Sequence, residues 1–418
     1  EWERRVRAAC AADRAPAAAD RAPAAADEAL ANNAALAARC RLELETGVPI
    51  FPRVAVPAGE TGIGRLRRLA AAGLARRYGG AEARRRPAAR ARLGEELAVI
   101  ERLGFTDYFL LVAGIVDFAR GRGIPAMGRG SGASSLVAYL LGITDVDPLR
   151  HGLCFERFLH PQRRDCPDLD IDLCWRRREE VVAHVVEAHG RDRVARIATH
   201  ATLGARSAFR ETAKALGVPL ARVDALARLV PRELAPPYGG TLARLPEARF
   251  APWGEPRLAE ALRLAERLDG APRHLSVHCG GLVVADRPLT WYVPLERAGG
   301  DAIVTQFEMR AVERIGLVKL DLLGNRALST IAECVTRAGP AAPDPAAVPE
   351  DDAATAARVA AGDTLGCFQL ESPAMRHLLR MLRARTLEDA IAAVALVRPG
   401  AAGTAGAAPA APTRSAGA

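Results

Sequence analysis

Acidic and apolar residues alternate in the stretch PDLDIDL, residues 167–173. This alternation predicts a β-strand, because successive side chains of a strand point to opposite faces of the sheet. Asp168, Asp170 and Asp172 would then share one face, with leucine and isoleucine on the other. A second strand is predicted for residues 315–324, where the apolar run IGLVKLDLLG contains one lysine and one aspartate.

Apolar residues recur at helical spacing elsewhere in the chain. Leu93, Leu97 and Ile100 form a stripe that predicts an amphipathic helix, and four valines predict another over residues 176–189. Strands are predicted near residues 194–198, 282–285 and 303–307, and a further helix is predicted over residues 29–44. The segment 231–256 is rich in proline and glycine, which favours a loop or hinge.

Three carboxylates on one strand face repel each other unless positive charge lies close to them. A divalent cation such as Mg²⁺ or Mn²⁺ is a suitable partner, because both prefer carboxylate oxygens. The alternative is an edge strand with a solvated acidic face. Lys319 and Asp321 would share a face of the second strand, as part of a phosphate or metal site or as an ordinary ion pair.

The segment GRGSGASS, residues 128–135, precedes the apolar run LVAYLL. A turn rich in glycine and serine that opens a helix offers backbone N–H groups and hydroxyls to a phosphate. The segment is not a Walker loop, because no Gly-Lys-Ser/Thr closes it. Asp145 and Asp147, before Pro148, resemble a second acidic pair, but their sequence context favours a turn or cap.

Arg206, Arg210 and Lys214 recur every four residues, which places them on one face of a predicted helix. Such a stripe suits a nucleic-acid phosphate backbone, or it is a solvated helix face. Arg163 precedes the acidic strand, where it could bind a triphosphate or balance the neighbouring acids. His274 and His278 do not predict a zinc site, because no fourth ligand is evident.

The chain has 418 residues and a formal net charge of +9, which favours a polyanionic partner. Much of the excess of arginine is compositional, since alanine, glycine and proline are also abundant. The eight cysteines include no CxxC pair, and the chain shows no signal peptide and no apolar run long enough to span a membrane. A cytoplasmic protein with reduced thiols is therefore expected.

Four segments together resemble the alpha subunit of bacterial DNA polymerase III, a C-family polymerase. They are GRGSGASSLVAYLLGITDVDP, FERFLHPQRRDCPDLDIDL, GLVKLDLLG and GCFQLES. They occur in the order of that family, and the resemblance covers roughly residues 30–400. It extends to both the replicative and the error-prone form of the subunit.

The resemblance implies an α+β fold, with a polymerase-beta-like nucleotidyltransferase palm around a mixed sheet. It also implies an inserted helical thumb and a helical start of the fingers. The expected ranges are 1–50 for a low-complexity start and the end of a PHP domain, 51–201 and 279–330 for the palm, 202–278 for the thumb, 331–400 for the fingers and 401–418 for a disordered tail.

The resemblance further implies three catalytic aspartates, Asp168, Asp170 and Asp321, which would hold two Mg²⁺ ions that Mn²⁺ can replace. Asp172 lies outside the family's motif and is a possible helper. The residues expected to bind the nucleotide are Gly128, Arg129, Gly130, Ser131, Arg163 and Lys319, and those expected to bind DNA are Arg206, Arg210 and Lys214.

The implied function is template-directed DNA synthesis from deoxynucleoside triphosphates on primer–template DNA. The sliding clamp and other replisome subunits are partners of the full-length family, but the regions that bind them are expected to be missing from a truncated chain. One alternative is a non-catalytic DNA-binding remnant. Another is a nucleotidyltransferase with a different acceptor, which the basic stripe disfavours.

Overall fold

A computed structural model describes residues 22–40, 46–162, 167–299, 302–342, 345 and 348–397. In this part of the chain seven strands form one mixed sheet. The strands are β1 (Ala126–Arg129), β2 (Asp170–Cys174), β3 (Val194–Thr202), β4 (Pro272–Val284), β5 (Leu295–Arg297), β6 (Ile303–Glu308) and β7 (Lys319–Asn325).

Helices flank the sheet and fill the connections between its strands. They are α1 (Ala22–Arg39), α2 (Gly62–Arg77), α3 (Arg86–Arg102), α4 (Thr106–Gly121), α5 (Leu136–Leu140), α6 (Arg178–His189), α7 (Ala205–Ala215), α8 (Leu220–Leu229), α9 (Tyr238–Leu242), α10 (Pro256–Leu268), α11 (Met309–Ile315), α12 (Arg326–Ala338), α13 (Ala353–Ala360), α14 (Pro373–Leu382) and α15 (Leu387–Leu396). This mixture of helices with a mixed sheet agrees with the expected α+β class.

The strands lie side by side in the order β1-β2-β7-β4-β3-β6-β5. β2 and β7 are parallel, as are β3 and β6, and the other neighbours are antiparallel. The two strands expected to carry the acidic residues, β2 and β7, are therefore direct neighbours. This pairing brings together segments that lie far apart in the sequence.

Apolar packing covers one face of the sheet at β1, β2 and β7 and the other face at β3 to β6. On one face, Leu169, Ile171 and Leu322 belong to the largest buried cluster, together with side chains of α2 to α6. Within this cluster Leu93, Leu97 and Ile100 are buried, which confirms the helix predicted from their spacing. Ile197 and Val283 belong to a second cluster, which packs near α11.

A helical unit of residues 203–271, containing α7 to α10, is inserted between β3 and β4. It has its own buried cluster, which includes Phe209, Tyr238 and Trp253. The predicted loop or hinge at 231–256 is therefore wrong in part. Its backbone is mostly irregular outside α9, but Tyr238 and Trp253 are buried in the core of the helical unit.

Segment 46–50 runs beside the start of β7. Ile50 N–H donates to Gly316 O at 2.7 Å, and Gly47 N–H donates to Arg314 O at 2.9 Å. Gly316 has φ +103°, and a Cβ there would lie 2.0 Å from Val48 O, so a side chain is excluded. Segment 46–50 therefore packs on the sheet, ahead of the predicted boundary at residue 51.

The first described helix differs from its prediction. A helix was expected over residues 29–44, whereas α1 spans Ala22–Arg39 and residues 41–45 lie outside the described part.

Helices α13 to α15 share a small buried cluster formed by Met375, Leu379, Ala384 and Ala393. Large apolar side chains around it remain exposed, including Leu365, Phe368 and Met381. None of the helices in the described ranges has the length and apolar character needed to cross a lipid bilayer.

Candidate active site

The acidic strand has the predicted alternation. Leu169 and Ile171 are buried, while Asp170 is partly exposed and Asp168, just before β2, is exposed. The parallel pairing of β2 with β7 matches Ile171 with Leu322, which places Asp170 level with Asp321. Two carboxylates that are distant in sequence therefore project from neighbouring strands.

The environment of Asp170 disfavours its charged form. Burial raises the pKa of Asp170, and the negative charges of Asp168 and Asp321 raise it further. Arg129 and Lys319 act in the opposite direction. The three predicted aspartates are thus close enough to repel each other, as expected for a site that attracts cations.

Lys319 lies beside Asp321, with 3.1 Å between Nζ and Oδ2. Burial alone would lower the pKa of Lys319, but the charges of Asp168 and Asp321 outweigh it, so the pKa is raised. Lys319 and Asp321 therefore share one face of β7, as predicted, and Lys319 remains a cation within the acidic group.

Asp321 also has a carboxylate oxygen that lacks a partner. Among the described residues, its Oδ1 is buried and accepts no hydrogen bond. A buried acceptor without a partner is costly, and a cation bound there would remove that cost. The donor set therefore fits a divalent metal ion by its chemistry. Among the described residues, however, no three His, Cys, Asp or Glu side chains are already gathered as a metal site.

The glycine- and serine-rich segment forms β1 followed by a 3₁₀ turn, Gly130–Ser134. β1 lies antiparallel to β2 and matches Arg129 with Asp170. Gly130 has φ +72°, and a Cβ there would lie 3.7 Å from Asp170 Oδ2. The turn therefore begins directly beside the acidic strand, and the side chain of Ser131 at its start is exposed.

Gly128 differs from the other residues of this segment. Its N–H donates to Ile143 O at 2.7 Å, so this group is already used within the fold. A Cβ at Gly128 would lie 2.6 Å from the same carbonyl oxygen. Gly128 thus allows two backbone segments to approach closely, and a direct contact of its N–H with phosphate is not expected.

Arg129 lies between two carboxylates of the acidic strand. Its Nε is 3.7 Å from Asp170 Oδ2 and 3.5 Å from Asp172 Oδ1. Asp172 is 7% exposed and also accepts a hydrogen bond from Asn325 Nδ2 at 2.9 Å. Asp172 therefore interacts with Arg129 and Asn325, and its helper role stays a prediction.

Several other candidates lie outside this group of residues. Arg163 falls outside the described residues. Asp147 accepts hydrogen bonds from Tyr78 and from the backbone of Leu149, and Asp145 pairs with two arginines. The predicted turn or cap is therefore confirmed for Asp147, which accepts from the backbone of the turn at residues 148–150, whereas Asp145 forms ion pairs instead.

The basic stripe lies on α7, in the helical unit. Arg206 Nε donates to Val230 O at 2.7 Å. Arg210 pairs with Asp224 at 2.7 Å, and Lys214 pairs with Glu211 at 3.0 Å. All three side chains thus have partners within the protein, although Arg210 and Lys214 are about 40% exposed.

His278 lies in an irregular part of β4, where Gly281 pairs with Asp321. Its Nδ1 accepts hydrogen bonds from the backbone N–H groups of Gly280 and Gly281, at 3.2 and 2.7 Å. These bonds use one ring nitrogen within the fold, and His274 and His278 belong to no potential metal group in the described part of the chain.

Glu96 on α3 was missed by the sequence analysis. It is 1% exposed and contacts the end of the Gly130–Ser134 turn through Ser135. The sequence contains a signal that could have identified Glu96: it follows Leu93 by three residues and so falls within the apolar stripe of the helix. An acidic residue on the buried face of a helix requires nearby donors.

Comparisons with known proteins agree with the resemblance seen in the sequence. Residues 64–324 match the family described as the bacterial DNA polymerase III alpha NTPase domain. Residues 326–409 match the family described as the bacterial DNA polymerase III alpha subunit finger domain. Together these matches cover most of the chain.

The curated relatives are named either error-prone DNA polymerase or DNA polymerase III subunit alpha. An error-prone DNA polymerase of Symbiobacterium thermophilum is 43% identical over 375 residues, which cover 89% of this chain and 34% of the relative. A DNA polymerase III subunit alpha of Halalkalibacterium halodurans is 41% identical over 380 residues, or 89% of this chain and 33% of the relative. The chain thus spans about a third of the length of these curated relatives.

Proposed function

Because the chain belongs to the family of the bacterial DNA polymerase III alpha NTPase domain, we propose that it carries the nucleotidyl-transfer centre of a DNA-directed DNA polymerase. The observation that carries this proposal is the pairing of β2 with β7, which sets Asp170 level with Asp321. The substrates would be primer–template DNA and deoxynucleoside triphosphates.

Asp168, Asp170 and Asp321 would hold two Mg²⁺ ions, which Mn²⁺ could replace. The partnerless Oδ1 of Asp321 supports this role, as does the raised pKa of Asp170, which reflects burial and the crowding of negative charge. Metal ions at such a site lower the pKa of an attacking hydroxyl and neutralise charge on the transferred phosphate and leaving group.

The turn Gly130–Ser134 would bind the triphosphate. The first N–H groups of a helical turn have no intrahelical partners, so they can donate to phosphate oxygens. Arg129 and Lys319 would offset the negative charge that develops there. The same charge-balancing role is proposed for Arg163.

The sheet with its covering helices would serve as the palm, residues 203–271 as the thumb, and α12 to α15 as the start of the fingers. The basic stripe on α7 would contact the phosphate backbone of DNA. The sliding clamp and other replisome subunits would bind to parts of the longer relatives rather than to the described residues.

Calorimetric titration of the purified chain with Mn²⁺ and a deoxynucleoside triphosphate tests the proposal. We expect the nucleotide to bind in the presence of Mn²⁺, and Asp170→Asn to weaken this binding by at least about tenfold, because one metal ligand is removed. Asp145→Asn is the control. It also removes one aspartate charge, but its ion pairs are exposed, and binding should change by less than about twofold.

Repeating the titration with primer–template DNA distinguishes a DNA polymerase from the two alternative functions. In the presence of this DNA, the nucleotide complementary to the template should bind more tightly than a mismatched one. Binding that ignores the template would favour a nucleotidyltransferase with another acceptor. DNA binding without any Asp170-dependent binding of Mn²⁺ and nucleotide would refute the catalytic proposal in favour of a DNA-binding remnant.

A further inference from the structure

Glu96 is a buried acidic residue at the centre of a hydrogen-bond network. Its Oε1 accepts from Arg92 Nε and from the backbone N–H of Leu136, both at 2.9 Å. Its Oε2 accepts from Ser135 Oγ at 2.9 Å and from the backbone N–H of Val137 at 3.0 Å. Each oxygen therefore has two donors, as a carboxylate held away from water requires.

Arg92 contacts the same segment from the preceding turn of α3. Its Nη2 donates to Ser134 O at 2.6 Å, and its Nη1 donates to Leu153 O at 2.9 Å. Because Arg92 also pairs with Glu96, α3 contacts the chain continuously from Ser134 to Val137. This is the point where the Gly130–Ser134 turn ends and α5 begins.

The opposite side of the turn packs on the acidic strand. A Cβ on Gly132 would lie 2.6 Å from Leu169 Cδ2, so the turn rests directly on the residue between Asp168 and Asp170. The turn is thus fixed at both sides, by Leu169 beside the acids and by the network of Glu96 and Arg92. The position of its N–H groups relative to Asp170 depends on both contacts.

We propose that Glu96, supported by Arg92, is a positioning residue that holds the Gly130–Ser134 turn where its backbone N–H groups meet the nucleotide phosphates. The inference rests on the proposed function, since it assigns the nucleotide to this turn. Glu96 contacts Ser135, Leu136 and Val137, directly after the turn, and would act through them rather than on the nucleotide. Its loss should therefore weaken nucleotide binding while leaving the carboxylates of Asp168, Asp170 and Asp321 able to bind a cation.

The test compares three variants of the full chain. Glu96→Gln retains the shape of the side chain but has one acceptor oxygen, so two of the four donors lose their partner. Ser135→Ala removes one of the four donors to Glu96, and it also removes the cap of α5, because Ser135 Oγ accepts from Ala138 N–H at 3.1 Å. Glu95→Gln is the matched control, because Glu95 is the adjacent residue on α3 and is exposed. Circular dichroism first establishes which variants are folded.

Three quantities are measured for each variant: the affinity for Mn²⁺ alone, the affinity for a deoxynucleoside triphosphate with Mn²⁺, and the hydrogen exchange of residues 130–137. Glu96→Gln should weaken nucleotide binding about tenfold and accelerate exchange in this segment, whereas the affinity for Mn²⁺ alone stays within about twofold. Ser135→Ala should weaken nucleotide binding about threefold. Glu95→Gln should match the unaltered chain.

Normal nucleotide binding by Glu96→Gln would overturn the inference, as would an equal loss of Mn²⁺ and nucleotide binding, which indicates a merely structural role. If Glu96→Gln does not fold, Ser135→Ala tests the inference instead, through its affinity for Mn²⁺ alone and its affinity for the nucleotide with Mn²⁺. If the unaltered chain binds no nucleotide, the proposed function fails and the phosphate role fails with it. If the unaltered chain binds the nucleotide and only the variants lose affinity for it, the positioning role is tested separately from the proposed function.

Discussion

Asn325 joins the acidic strand to the helix that follows β7. Its Oδ1 accepts from Ala327 N–H at 2.8 Å, which caps α12, and its Nδ2 donates to buried Asp172 at 2.9 Å. Asn325→Ala should lower the free energy of unfolding by about 2–4 kcal/mol, because it removes the cap and leaves Asp172 short of a donor. Urea denaturation measures this change.

Thr61→Ala is the control for this prediction. Thr61 caps α2, because its hydroxyl accepts a hydrogen bond from Gly64 N–H at 3.1 Å. Its side chain is exposed, and unlike that of Asn325 it makes no hydrogen bond to a buried acidic residue through this cap. Its loss should cost about 1 kcal/mol. If both variants lose the same stability, the hydrogen bond between Asn325 and Asp172 contributes nothing measurable.

The sequence predicts the position and role of some single residues better than those of others. The alternation around Asp170 and the shared face of Lys319 and Asp321 follow from the geometry of a strand, so both were predictable. The roles of Gly128 and Glu96 depend on contacts with Ile143 and with residues 135–137, which are distant in the chain or separated by loops. Local patterns indicate that such a residue is unusual, but not which partner it has.

The helix α7 has the basic stripe predicted from its four-residue spacing, but its three side chains differ in accessibility. Arg206 is partly buried and donates to Val230 O, whereas Arg210 and Lys214 form exposed ion pairs that are weak. Replacing Arg210 and Lys214 with alanine should therefore reduce the slope of log K against log salt for duplex DNA by about 1.8. Adding Arg206→Ala should change the slope little further.

Fluorescence anisotropy with labelled duplex DNA, at several salt concentrations, measures these slopes. The control replaces Arg263 and Arg267 with alanine, which removes two exposed charges from α10 in the same helical unit. An unchanged slope in the Arg210/Lys214 variant would assign the stripe to solvent. Equal reductions in both variants would indicate a general effect of net charge.

The sequence predicted which segments form helices and strands better than it predicted how these elements are arranged in the fold. The periodicity identified α3, α6 and the acidic strand, since each buries one face. It did not give the parallel pairing of β2 with β7, because the two strands are about 150 residues apart and the register depends on the whole sheet. Only the family resemblance linked Asp321 to the acidic strand in advance.

At the scale of the whole molecule, the described part has several separate apolar clusters. The sheet has an apolar cluster on each face, the helical unit of residues 203–271 has its own core, and α13 to α15 share a much smaller one. Stability is therefore expected to differ between these regions, because each buries a different amount of apolar surface.

Native-state hydrogen exchange should reveal this order. Residues 353–397 should exchange first, because their cluster is small and Leu365, Phe368 and Met381 remain exposed. The helical unit should exchange later and as one group, and the central strands β3, β4 and β7 should exchange last. Uniform exchange across all regions would show instead that the described chain unfolds as a single cooperative unit.

Matched substitutions sharpen this last prediction. Leu379 and Leu242 are both fully buried, the first in the small cluster and the second in the helical unit. Truncating a buried leucine to alanine costs about 2–5 kcal/mol, and the cost should remain within the region that contains it. Leu379→Ala should thus accelerate exchange in residues 353–397 and leave the sheet unchanged, whereas Leu242→Ala should accelerate exchange in residues 203–271. If either variant accelerates exchange in β7 to the same degree, the clusters are energetically coupled.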